Sequence, residues 1–246
     1  MSRALSGRTY WIIGASEGLG RALSLALAGA GARLVLSARN GERLASLAAE
    51  AGAAEVLPLD VTRPDLPPEA RSIASQVDGI VYCVGLYEPM AARDWKSDVA
   101  LAMCEANFLG AMRILGACLP PMIARDRGHV VLIGSLAGYR GLPRAIGYGA
   151  SKAALMHLAE NLQTETAGTG VRVQLVNPGF IRTRLTAKNS FAMPAIMTPE
   201  AAAACVLSHM RSRRFRRDFP RPFAFLFNPG RMLPDRLFAR LFRNRG

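Results

Sequence analysis

A short apolar run, Thr9–Ile13, ends in glycines spaced Gly14-Ala-Ser-Glu-Gly18-Leu-Gly20 and passes into the Ala-rich stretch Leu19–Ala30. Glycine permits backbone angles and close approaches that a Cβ forbids, so this spacing predicts a tight turn between a strand and a helix. The same alternation continues downstream. Arg33–Ser37 (RLVLS), Glu55–Leu59, Gly79–Val84 (GIVYCV), His129–Ile133 (HVVLI) and Val171–Val176 (VRVQLV) read as further strands. Helical stretches are expected near Glu42–Ala51, from about Ser97 to Arg125 with Pro120-Pro121 disturbing its end, and from about Tyr148. Continuous Val/Ile/Leu runs alternating with helices predict an α/β fold, a doubly wound parallel sheet covered on both faces. No internal repeat or low-complexity linker interrupts the pattern.

At 246 residues, half of them hydrophobic, the chain is long enough for one such domain with a substantial core. No window of about 20 residues is wholly apolar and free of charge, so a transmembrane helix is not expected. The N-terminus leads into a strand rather than a secretory apolar core. Cys83, Cys104, Cys118 and Cys205 lack CxxC or zinc spacing, which suggests free thiols in a reducing, cytoplasmic setting and no metal site.

The formal net charge of +13 is unevenly placed, because residues 211–246 carry 11 arginines against Asp218 and Asp235. The expected division is therefore a catalytic domain over 1–210 and a basic, aromatic-rich C-terminal extension over 211–246, packed on the domain or on a partner. In that extension Leu233, Leu237, Phe238, Leu241 and Phe242 fall on one helical stripe, with Phe223, Phe225 and Phe227 before it. A basic amphipathic helix suits either docking or peripheral contact with an anionic membrane surface. Nucleic acid is disfavoured, since no binding module accompanies the charge.

Two groups of residues carry chemistry. A helix amino end at the glycine turn suits a pyrophosphate, and the residue after the second strand reports the nucleotide bound there. An acidic residue at that place would bind the ribose hydroxyls of NAD; here Ala38 is followed by Arg39, whose guanidinium suits the 2′-phosphate of NADP. Glu17 inside the turn argues mildly the other way. The second group is Tyr148-Gly-Ala-Ser-Lys152, thirteen residues after Ser135. Tyr148 and Lys152, four apart, share a helix face. A phenol beside an ammonium is a proton donor whose anion is stabilised, which predicts a lowered tyrosine pKa. Of 31 basic residues only Lys96, Lys152 and Lys188 are lysines, so a compact ammonium at 152 is a departure from the chain's habit.

Together GxxxGxG, Asp60-Val61, Gly85, Asn107, Ser135, Tyr148-x-x-x-Lys152 and Asn177-Pro178-Gly179 resemble the short-chain dehydrogenase/reductase family, over roughly residues 8–210. The resemblance implies a Rossmann-type fold, a homodimer or homotetramer, and catalysis by Asn107, Ser135, Tyr148 and Lys152. Tyr148 would be the acid or base, Ser135 the partner of the substrate oxygen, Lys152 the ribose ligand that lowers the tyrosine pKa, and Asn107 the holder of a relay water. Cofactor contacts would come from Gly14, Ser16, Gly18, Leu19, Gly20, Arg39, Asp60, Val61, Gly85, Tyr148, Lys152, Pro178, Gly179, Ile181 and Thr183. Departures exist: Ile13 stands where the family has threonine, Tyr82-Cys83-Val84-Gly85 stands for Asn-Asn-Ala-Gly, and the Asp60–Gly79 segment is short and proline-rich, which suggests a stunted helix.

The expected substrate is an apolar, even lipid-like, carbonyl or alcohol. Leu185, Phe191, Met193, Ile196 and Met197 would form one wall, and Tyr139, Leu142 and Ile146 the other. Only Arg140, Arg144, Arg182 or Arg184 could clamp a carboxylate. The expected activity is NADP(H)-dependent carbonyl–alcohol interconversion, NADPH being favoured over NADH. The alternative is a nucleotide-sensing protein of the same fold without turnover; a sugar-nucleotide epimerase is disfavoured by chain length and glycine spacing.

Overall fold

A computed structural model describes residues 5–52, 54–227, 234 and 236–237. Seven parallel strands form one sheet in the order β3-β2-β1-β4-β5-β6-β7. They are β1 (Thr9–Ile13), β2 (Arg33–Ala38), β3 (Ala54–Pro58), β4 (Gly79–Tyr82), β5 (Gly128–Ile133), β6 (Val171–Pro178) and β7 (Arg216–Phe219). The helices are α1 (Gly18–Gly29), α2 (Gly41–Ala51), α3 (Pro68–Gln76), α4 (Ser97–Cys104), α5 (Gly110–Ala124), α6 (Ile146–Glu165), α7 (Pro199–Met210) and α8 (Arg221–Phe227). A π-helical segment, Glu105–Leu109, joins α4 to α5.

Strand side chains alternate between two cores, as the period of two requires. Trp11 and Ile13 of β1 join Ile80, Leu132 and Leu175 in the core beneath α3, α5 and α6. Tyr10 and Ile12 point the other way, onto Leu23 and Leu27 of α1, Leu44 of α2 and Val206 of α7. Burial on both faces explains why the central strands read as unbroken apolar runs.

The prolines are accommodated in the helices in two ways. The short helix expected in the proline-rich segment is the nine-residue α3, and Pro68 occupies its first turn, where no amide partner is needed. Both Pro120 and Pro121 are accommodated inside α5, which continues to Ala124. The helical run Ser97–Ala124 is long and apolar enough to cross a membrane by length and composition, with mean hydropathy 1.3 in its most apolar window. Its Met103, Ile114, Cys118 and Met122 are fully buried in the protein's own cores, however.

The extension beginning at 211 contributes to the domain itself. β7 pairs with β6 from Leu175↔Arg216 to Pro178↔Phe219, and α8 follows it directly. The sequence Arg-Arg-Asp-Phe has no apolar alternation because its side chains meet polar partners: Arg216 pairs with Glu160 of α6, and Asp218 accepts from Tyr139 and Asn177. The amphipathic stripe expected further on lies outside the described residues, apart from Leu237, which is exposed.

The chain winds outward in opposite directions from β1 and β4, which are neighbours in the sheet. Ligands of such sheets bind where the winding reverses, beyond the carboxyl ends of the strands.

Candidate active site

A cavity of about 1290 Å³ opens at that reversal. It exceeds the ~300–1,000 Å³ of a single small-ligand site and leaves room for a dinucleotide and a second molecule. Apart from Asn107, every catalytic and cofactor-binding residue expected from the sequence lines it.

The glycine turn forms one end. Gly14 has φ +91, and a Cβ on it would stand 2.9 Å from the Cys83 backbone. A Cβ on Gly20 would stand 2.1 Å from the Gly14 carbonyl oxygen. Gly18 (φ +56) packs under the Thr183 methyl. No side chain caps α1, so its amino end faces the cavity beside Ser16 and Leu19. A cradle that side chains would fill, ending in open amides, fits a pyrophosphate.

At the end of β2, Arg39 lines the cavity with Arg43 of α2. Asn40 caps α2 by accepting from the Arg43 amide at 2.8 Å, which orients that first turn. Glu17 is held between two guanidiniums, Arg43 at 2.9 Å and Arg184 at 2.7 Å, so its carboxylate does not face the site uncompensated. Asp60 closes a turn on Thr62, accepting from its amide at 3.0 Å and its hydroxyl at 2.7 Å. Burial pushes the Asp60 pKa up, but the Thr62 hydrogen bonds and the Arg39 charge more than offset this and leave it lowered.

The exit of β4 is held from behind. Lys152 Nζ donates to the Val84 carbonyl at 3.1 Å and the Ile133 carbonyl at 2.8 Å, tying the ends of β4 and β5 together. Asn107 is fully buried; its amide donates to the Leu86 carbonyl (2.9 Å) and the Ser151 hydroxyl (2.9 Å), while its oxygen accepts from the Leu86 amide (2.7 Å). Both polar ends of Asn107 are thus engaged with protein, and it braces the loop after Gly85 instead of facing the cavity. Tyr82, where the family has asparagine, donates to the Ala106 carbonyl at 2.5 Å and links β4 to the π segment.

Ser135 follows β5, where its hydroxyl accepts from the Ala137 amide at 3.2 Å. Tyr148 sits one turn into α6, its ring edge-on to Tyr87 with centroids 5.1 Å apart. Burial raises the Tyr148 pKa above the ordinary phenol value, and the Ser135 hydroxyl acts in the opposite sense. The expected lowering by Lys152 is not present: the ammonium lies 6.0 Å from the phenol ring centroid and is turned to the two carbonyls. Burial also lowers Lys152 itself to about 8, partly opposed by the neighbouring Cys83.

Residues 8–193 match the family model of the short chain dehydrogenases. The chain belongs to that family. It is 36% identical over 242 residues to an uncharacterized oxidoreductase of Myxococcus xanthus, covering 95% of this chain and 96% of that one. An uncharacterized oxidoreductase of Staphylococcus aureus is 30% identical over 209 residues, 82% of this chain and 90% of that protein. Among solved structures, a short-chain dehydrogenase from Sphingobium yanoikuyae in complex with NADPH superposes with TM-score 0.81 at 26% identity, covering 87% and 88% of the two chains. This short-chain dehydrogenase is accordingly an oxidoreductase of an NAD(P)-binding family.

The remaining wall of the dehydrogenase is the segment after Pro178-Gly179, which folds over the cavity. Ile181 bridges to Met197, closing the segment into a loop. Tyr87 donates to Asn189 at 2.9 Å, and Lys188 donates to the Tyr87 carbonyl at 3.0 Å and to Glu88 at 2.5 Å. Of the expected apolar wall, Leu185, Phe191 and Leu142 line the cavity. Met197 packs instead against the α1 and α7 core, and Ile146 against Met90 and Met103. Tyr139 is also turned away, donating to Asp218 at 2.9 Å. Among the four arginines considered as clamps, Arg184 alone lines the cavity. Sequence reasoning missed Arg43, Tyr87, Phe180, Phe223 and Phe227. The i,i+4 spacing of Phe223 and Phe227 was the one signal available for the last two.

Proposed function

We propose that this dehydrogenase interconverts a carbonyl and an alcohol on an apolar substrate with NADP(H), Tyr148 donating the proton in reduction and accepting it in oxidation. The carrying observation is that Ser135, Tyr148 and Lys152 line the same cavity as the Gly14–Gly20 cradle. When bound, the nicotinamide supplies or accepts the hydride. The protein's part is orientation and proton transfer. A phenol raised by burial keeps its proton at neutral pH and is ready to give it to a developing alkoxide. Ser135 is the second donor to that oxygen. Lys152, largely protonated at neutral pH with its pKa of about 8, would bind the ribose on the nicotinamide side.

Gly14, Ser16, Gly18, Leu19 and Gly20 would hold the pyrophosphate. Asp60, Val61 and Gly85 would hold the adenosine side, and Pro178, Gly179, Ile181 and Thr183 the nicotinamide side. NADP is favoured because Arg39 and Arg43 both line the cavity at the end of β2, while the nearby carboxylate of Glu17 is compensated. Asn107 acts as a positioning residue for the Gly85–Leu86 backbone.

Tyr148→Phe keeps the ring and removes the transferable proton. Turnover of a carbonyl panel should fall by about 10²–10⁴-fold while NADPH affinity stays within about twofold. Turnover close to that of the unaltered protein would sink the proposal.

A further inference from the structure

Four phenylalanines form a continuous ladder along the substrate side of the cavity. Phe180 meets Phe191 edge-on at 5.8 Å and Phe223 at 5.5 Å, and Phe223 meets Phe227 edge-on at 5.1 Å. Phe180 and Phe191 belong to the covering segment, whereas Phe223 and Phe227 belong to α8, beyond the family match that ends at 193. The ladder reaches the reacting end: a Cβ on Gly179 would stand 3.0 Å from the Phe223 ring and 3.3 Å from Leu136.

Among the described residues, the charged side chains at this end already have partners. Arg184 is engaged by Glu17, Glu105 by Arg113, and Lys152 by two carbonyls. The four rings themselves offer no counter-charge, so a substrate carboxylate or phosphate laid against them would be desolvated at a cost.

We infer that α8 is a substrate-recognition element, and that Phe223 and Phe227 with Phe180 and Phe191 select an uncharged carbonyl compound bearing an aryl ring next to the reacting carbon. The inference rests on the carbonyl–alcohol reading and narrows it. Rings at these separations prefer edge-on or offset partners, so an aryl group extends the ladder. An alkyl chain gains burial alone, and the aromatic increment is worth about two- to tenfold in affinity.

The test compares acetophenone with 2-octanone, two neutral methyl ketones of equal carbon count, using the full chain and NADPH. The unaltered protein should favour acetophenone in kcat/KM. Phe223→Leu keeps apolar bulk without a ring and should cut the acetophenone-to-octanone ratio about fivefold, while Phe223→Tyr should keep it. NADPH affinity should not change in either variant. Should Phe223→Leu fail to fold, Phe191→Leu at the other end of the ladder should lower the same ratio. A preference for 2-octanone, or a ratio indifferent to these substitutions, overturns the inference and leaves the carbonyl–alcohol reading intact. If neither ketone is turned over, calorimetric binding of acetophenone to the NADP⁺-loaded protein decides. Binding weakened by Phe223→Leu supports recognition by α8 although the catalytic reading has failed, and absence of binding refutes it.

Discussion

Gly20→Ala is the sharpest test of the nucleotide cradle, because it adds one methyl at a point where backbone meets backbone. The new Cβ would lie 2.1 Å from the Gly14 carbonyl oxygen, whereas real Cβ contacts essentially never fall under 3.0 Å. The turn must therefore open by about 0.9 Å, the difference of those two distances. No rotamer can absorb it, since the opposing atom is a carbonyl oxygen. Gly20 is not in a positive-φ conformation, so alanine adds no backbone strain and the effect isolates close approach. Overpacking of this kind costs about 1–3 kcal/mol. The variant should melt several degrees lower and, where that cost falls on the bound state, bind NADPH about 5- to 150-fold more weakly by fluorescence titration. Gly116→Ala is the matched control: it lies in α5, and a Cβ there meets nothing within 4 Å. It should raise stability by about 0.5–1 kcal/mol and leave binding unchanged. If Gly20→Ala binds NADPH as tightly as the unaltered protein, the amino end of α1 is not the pyrophosphate site.

Two further outcomes follow from the geometry. Arg39→Ala should weaken NADPH by about 1.5–3 kcal/mol and NADH far less, because one charge-assisted contact to the 2′-phosphate is removed; equal losses in parallel titrations would show that Arg39 does not read the phosphate. The second concerns His129, which is buried, with Nδ1 facing the Tyr10 hydroxyl at 2.7 Å and Arg172 at 2.9 Å, and Nε2 facing Gln174 at 2.8 Å. Burial, reinforced by Arg172, holds its pKa well below 6.5. Below about pH 6.5 the unfolded chain therefore takes up a proton that the folded one refuses, and stability falls by about 1.4 kcal/mol per pH unit until the native imidazole titrates. Urea unfolding at pH 5 and pH 7 should show this loss, and it should shrink in His129→Gln; identical pH slopes for the two proteins would rule the account out.

The parts of the site legible in the sequence were those built from short-range spacing. Gly14, Gly18 and Gly20 announce a turn wherever they follow a strand, and Tyr148 and Lys152 must share a helix face. The direction of the Tyr148 pKa was not legible, because it depends on burial and on where the ammonium is turned. Asn107 was expected to hold a relay water, and no local pattern signalled that its side-chain amide would be engaged by Leu86, 21 residues away. β7 escaped notice because an edge strand is specified by pairing with β6, and Arg-Arg-Asp-Phe carries no apolar period of its own.

By itself the sequence determined the alternation of strands and helices, the glycine cradle and the placing of phenol and ammonium on one helix face, since each is decided within one element by backbone sterics and helical period. Tertiary structure decided the rest. Glu17 meets Arg184 across 167 residues, and Phe223 reaches Phe180 only because β7 returns the chain to the sheet beside β6. Such contacts depend on which elements the whole core brings together, and no local pattern encodes that choice.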